Sequence, residues 1–116
     1  MKGSYQLAVI GAGPAGMAAA QAAARHGVDV VLFDEQARPG GQIYRNIENT
    51  AVAPELLGKD YAMGLQIVQS FRQASLDYQP DTSVWYLDKS RQLGLLQQGF
   101  SEQVCASRIV IATGAQ

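Results

Sequence analysis

The chain has 116 residues, with nine basic against ten acidic side chains and a formal charge of −1. That length suits one domain around one core, and the balanced charge carries no electrostatic footprint for nucleic acid or an anionic membrane surface. No apolar run approaches the ~20 residues that span a bilayer and no leader pattern precedes the first core strand, so a soluble cytoplasmic protein is expected.

In chain order, residues 1–5 read as a short lead. Leu7-Ala8-Val9-Ile10 is then a brief apolar run ended by a turn signal, the pattern of a strand buried on both faces of a parallel sheet. Gly11-Ala12-Gly13-Pro14-Ala15-Gly16 follows, and each glycine has its own task. Gly11 permits a sharp turn, Gly13 removes the side chain that would keep the backbone from a pyrophosphate, and Gly16 lets a helix pack close to the sheet. Pro14 suits the first helical position, where its missing N–H would have had no partner. The alanine-rich run from Met17 to Ala24 continues that helix, and His26-Gly27 closes it. The single His26 sits where the helix dipole explains it, and a catalytic part for it is not expected.

A second strand, Val28 to Phe33, ends at Asp34-Glu35, about twenty residues past the glycines, where an acid would take ribose hydroxyls. Alternation points only one of the pair at a ligand, and Asp34 is favoured. Either carboxylate would repel a 2′-phosphate. Next comes a loop through Arg38-Pro39-Gly40-Gly41-Gln42-Ile43-Tyr44-Arg45; adjacent glycines are costly to order, so the backbone takes an unusual turn or approaches something closely. Arg45 is expected to be solvated. Leu56, Leu57, Tyr61, Leu65, Val68 and Phe71 give roughly helical spacing and predict a helix over 54–74.

Leu76 to Tyr78 predicts a third parallel strand. From Val84 to Leu87, Leu93 to Gln97 and Gln103 to Cys105 the chain has the look of an antiparallel meander broken at Asp88-Lys89-Ser90 and Gln98-Gly99, with Trp85 and Tyr86 packed as core or cover. Cys105 stands alone, without a CxxC pair or a metal-ligand cluster, and reads as a small buried strand residue. Arg108 to Ala112 returns to the unbroken β-branched pattern of a central strand before Thr113-Gly114-Ala115. The first strand should lie between the second and this last one, with the meander covering one face.

Together the glycine turn, Asp34, Gly40-Gly41 and Ala112-Thr113-Gly114-Ala115 resemble the N-terminal half of the FAD domain in flavoproteins with two dinucleotide-binding domains, of the thioredoxin-reductase and glutathione-reductase type. Pro39 to Arg45, Leu56 to Tyr61 and Val84-Trp85 narrow the likeness to the FAD subunit of opine oxidases and hydrogen cyanide synthase. The resemblance covers essentially the whole chain. It implies an α/β, Rossmann-like FAD/NAD(P)-binding domain, a parallel sheet with helices on one side and a three-stranded antiparallel meander on the other. These 116 residues would then be one domain within a longer protein, inactive by themselves. FAD would be held by Gly11, Ala12, Gly13, Pro14, Ala15, Gly16, Asp34, Glu35, Gly40, Gly41, Gln42, Ala112, Thr113 and Gly114.

NAD(P) would belong to a second domain, and another oxidoreductase subunit is an expected partner. Where disulfide reductases of this type place a cysteine pair after the double glycine, this chain has Gln42-Ile43-Tyr44-Arg45, so the segment does not carry that chemistry. No metal site and no catalytic side chain is expected. The substrate implied is an amine, opine or amino-acid-like molecule. Two other readings share the turn and the acid: a free-standing NAD-binding module, and a domain that keeps the fold as a scaffold for another subunit. The double glycine and Ala112-Thr113-Gly114 favour FAD over the first of these.

Overall fold

The computed structural model describes residues 1–37, 66–71 and 73–113. The double-glycine loop with Gln42 and Arg45, the start of the second helix, and Gly114 lie outside the described residues. The elements are β1 (Ser4–Ile10), α1 (Pro14–Arg25), β2 (Val30–Phe33), β3 (Asp77–Gln79), β4 (Thr82–Leu87), β5 (Gln92–Gln97) and β6 (Phe100–Ile111). One six-stranded sheet holds them in the order β3-β2-β1-β6-β5-β4. β1 pairs in parallel with both β2 and β6, and β2 with β3, whereas β5 runs antiparallel to β4 and β6.

β1 begins at Ser4, inside the stretch expected to be a lead. Its extra length of pairing is anchored by Tyr5, which is 4% exposed and whose hydroxyl donates to the Asp77 carboxylate on β3. Burial, reinforced by that bond, pushes the phenol up to about 12. A polar Lys2-Gly3-Ser4 flank around one aromatic residue gives no period, so sequence pattern could not extend the strand there. The N–H groups of Gln6 and Leu7 both donate to the Asp29 carbonyl, at 3.0 and 3.1 Å. This local doubling breaks the alternation of β1, so that Tyr5 and Ala8 share one core while Leu7 and Val9 face the other.

Two cores sandwich the parallel strands. On one face α1 brings Met17 and Ala20, and the helical residues 66–71 bring Val68 and Phe71, onto Val9, Val30 and Leu32. On the opposite face Leu93, Leu95 and Val104 of the antiparallel strands pack on Tyr5, Ala8, Val31 and Phe33. β2 is buried along its whole length because both layers close on it. Each fully buried Leu, Val or Phe contributes ~1.5–3 kcal/mol to this arrangement.

The antiparallel strands, which sequence pattern makes a separate cover, continue the same sheet. The strands expected at Gln103–Cys105 and Arg108–Ala112 are one element of 12 residues, Phe100–Ile111. No glycine or proline interrupts it. Its first half pairs with β5 and its second half with β1, the two ladders meeting at Cys105, which partners both Gln92 and Ser4. Cys105 is half-buried rather than enclosed. Trp85 and Tyr86 depart further from expectation, being 64% and 43% exposed. A register shift between Val84 and Tyr86 leaves Trp85 on the outside, lying over Gly94 of β5.

Candidate functional site

The carboxyl ends of β1, β2 and β6 lie side by side, which is where ligands gather in parallel α/β sheets. β1 leads straight into the glycine turn. Gly11 has φ +111°, a conformation that favours glycine, and a side-chain carbon there would meet the Ala112 carbonyl oxygen at 2.5 Å. The end of β6 therefore packs onto the turn through the Ala112 backbone, whose N–H in turn donates to the Ile10 carbonyl at 2.8 Å. At Gly16 a side-chain carbon would stand 1.9 Å from the Gly11 carbonyl oxygen. These two glycines are demanded by the protein's own backbone.

Gly13 is different. A carbon added there meets nothing within 4 Å, so packing does not account for the missing side chain. Gly13 is the N-cap of α1, Pro14 takes the first helical position, and neither a side-chain cap nor an acidic residue occupies the first turn. The amides of Ala15 and Gly16 consequently have no acceptor within the helix, at the positive end of its dipole. Open space over an uncapped helix start fits a pyrophosphate.

Asp34 stands at the end of β2, beside this turn. Its backbone is held on both sides, the N–H donating to Gln79 at 3.1 Å and the carbonyl accepting from Thr82 at 2.8 Å. Burial raises the proton affinity of its carboxylate above the usual aspartate range, the neighbouring Ala12, Gln36 and Glu35 amides opposing that rise and the Glu35 charge adding to it. The Oδ2 atom is buried and has no hydrogen-bond partner. An orphaned acceptor of this kind costs ~1–3 kcal/mol, which a donor supplied by a ligand would recover. A ribose hydroxyl fits that requirement.

The sites expected from sequence therefore divide. Gly11, Ala12, Gly13, Pro14, Ala15, Gly16, Asp34, Ala112 and the backbone of Thr113 come together around the turn, whereas the Glu35 side chain is exposed beside Asp34. Gly40, Gly41, Gln42 and Gly114 lie outside the described residues. Sequence reading missed the influence of the Ala12 amide on the Asp34 carboxylate, since no residue type marks a backbone donor. His26 is exposed at the end of α1, with Nδ1 2.8 Å from the Ala22 carbonyl oxygen. Among the described residues no group of three or more His, Cys, Asp or Glu is placed to hold a metal, and no helix is long and apolar enough to cross a membrane.

Comparison with known proteins identifies relatives of the whole chain. The family model described as pyridine nucleotide-disulphide oxidoreductase matches residues 5–116. An opine oxidase subunit of Rhizobium meliloti is 40% identical over 121 residues, covering 97% of this chain and 23% of that protein. The HcnB subunit of hydrogen cyanide synthase from Pseudomonas aeruginosa is 37% identical over 109 residues, covering 91% of this chain and 24% of that one. The crystal structure of thioredoxin reductase from Streptococcus pyogenes superposes with a TM-score of 0.69 at 27% identity, over 100% of this chain and 37% of that chain. L-Proline dehydrogenase from P. horikoshii gives 0.72 at 25% identity, over 97% and 23%. The chain thus spans about a quarter of the length of its relatives in opine oxidase and hydrogen cyanide synthase.

Proposed function

The chain belongs to the pyridine nucleotide-disulphide oxidoreductase family, and from that membership we propose that it is the FAD-binding portion of a flavin-dependent oxidoreductase. The observation that carries this reading is the orphaned Asp34 Oδ2 beside an uncapped helix start with open space at Gly13. A bound flavin would supply hydride and electron transfer. The chain's own residues act by binding and orienting. The Ala15 and Gly16 amides and the dipole of α1 would hold the pyrophosphate, and Asp34 would accept a ribose hydroxyl. The backbone of Asp34 is held in place by bonds to both β3 and β4. Gly40, Gly41 and Gln42 would pass beside the cofactor, as the family resemblance implies.

The relatives support an amine, an opine or an amino-acid-like molecule as substrate, since those named belong to an opine oxidase and a hydrogen cyanide synthase. Both are named as subunits, which supports a partner in the form of a further oxidoreductase subunit for the longer protein. NAD(P) would belong to a second domain there. The absorption spectrum of the purified full-length protein tests the reading. Flavin bands that are released on denaturation and identified as FAD support it; a folded, colourless protein that takes up no added FAD overturns it.

A further inference from the structure

We propose that Asp34 couples dinucleotide binding to the loss of one proton from its own carboxyl group, so that this site binds its ligand in exchange for a proton. The inference rests on the function proposed above and adds to it a linkage that the binding role does not require. Its basis is the division of the Asp34 carboxylate. The Ala12, Gln36 and Glu35 amides reach the group, while Oδ2 is buried without any donor. A carboxylate shielded from water and only partly supplied with donors favours its proton, and burial does hold the proton on Asp34 more firmly than on a solvated aspartate.

Among the described residues no positive charge acts against that preference. Among the described residues the titratable groups around Asp34 are Glu35, next along the chain and itself an acid, and Asp81, whose amide bonds to the Gln36 carbonyl. The turn from Gly11 to Gly16 and the end of β6 at Ala112 and Thr113 contribute none. A ribose hydroxyl donating to Oδ2 favours the ionised form over the protonated one. Binding therefore lowers the proton affinity of Asp34, and the released proton passes to the buffer. By reciprocity, the affinity for the ligand falls as the pH drops through the range in which the empty site takes up its proton.

The experiment is isothermal titration of the full-length apoprotein with FAD and separately with ADP, each in buffers of different ionisation enthalpy, across the acid side of neutrality. ADP carries the adenosine ribose and pyrophosphate without the flavin. The expected result is release of up to one proton with either ligand, and an affinity that weakens up to ~10-fold per pH unit at the acid end. Asp34→Asn should bind without releasing that proton, and Glu35→Gln should still release it, over a range moved to lower pH because the Glu35 charge no longer adds to the proton affinity of Asp34. Binding with no proton release, or with the same release in Asp34→Asn, overturns the linkage and leaves the FAD reading standing. Release lost in Glu35→Gln and kept in the wild type transfers the role to Glu35 and also overturns it. No binding of FAD or ADP at any pH removes the reading beneath it. Should Asp34→Asn fail to fold, the wild-type and Glu35→Gln titrations with ADP still decide.

Discussion

A side-chain carbon at Gly16 would lie 1.9 Å from a backbone oxygen, whereas one at Gly13 would touch no protein atom. The same substitution should therefore act on different quantities at the two positions. Gly16→Ala must push α1 off the turn and should cost ~1–3 kcal/mol or more of stability. Gly13→Ala should leave stability within ~0.5 kcal/mol and weaken FAD binding instead, because its methyl group occupies the space over the helix start. Urea unfolding and FAD titration on both variants separate the two, and equal stability losses would show that Gly13 is packed after all. At Asp34 the buried Oδ2 gives a similar contrast with its neighbour. Asp34→Ala should weaken FAD binding by ~1.5–3 kcal/mol through loss of a charge-assisted acceptor, while Glu35→Ala, at an exposed side chain, should change it little. A loss confined to Glu35→Ala would assign the ribose to that residue.

At the scale of elements, the turn between β4 and β5 depends on one carboxylate. Asp88 Oδ1 accepts the Ser90 amide at 2.9 Å and the Gln92 amide at 3.1 Å, Oδ2 accepts the Tyr86 hydroxyl at 3.1 Å, and these bonds, the Gln92 amide foremost and then the Tyr86 hydroxyl, hold its carboxyl below the usual aspartate range. A depressed acid contributes its stability above the unfolded value, and the contribution disappears as pH falls through the folded one. Amide exchange at Ser90 and Gln92 should thus accelerate, relative to the rest of β5, only below the ordinary aspartate value of ~3.9, and Asp88→Asn should remove that dependence. Turns of this kind were legible in the chain because Asp88-Lys89-Ser90 and Gln98-Gly99 carry local chemistry; Gln98 and Gly99 indeed have φ of 52° and 83°, the sense that two-residue hairpins require. The glycine turn and β2 were legible for the same reason. What local pattern could not carry was long-range: the start of β1 at Tyr5 depends on Asp77 across the sheet, the single β6 depends on two different partners, and the exposure of Trp85 follows from a register shift.

At the scale of the whole molecule, the described residues build up one side of the site more than the other. β3, β2 and β4 buttress Asp34 through its backbone, and α1 backs the glycine turn. On the β6 side, by contrast, Val110 is 36% and Ile111 65% exposed, and Thr113 is exposed beyond them. A dinucleotide laid along this edge would keep much of its surface in water. Each hydrogen bond to the pyrophosphate would then be exchanged for one with solvent at small net gain, while fixing a long flexible cofactor costs rotational and side-chain freedom. The 116-residue chain by itself should consequently bind FAD weakly, and FAD and ADP should bind it with affinities within ~10-fold of each other, since the site formed by the described residues is placed for the pyrophosphate and ribose. A longer protein containing this chain should bind FAD much more tightly than ADP. Equilibrium dialysis of both proteins against both ligands checks this, and tight stoichiometric FAD binding by the 116 residues alone would show that they already enclose the flavin.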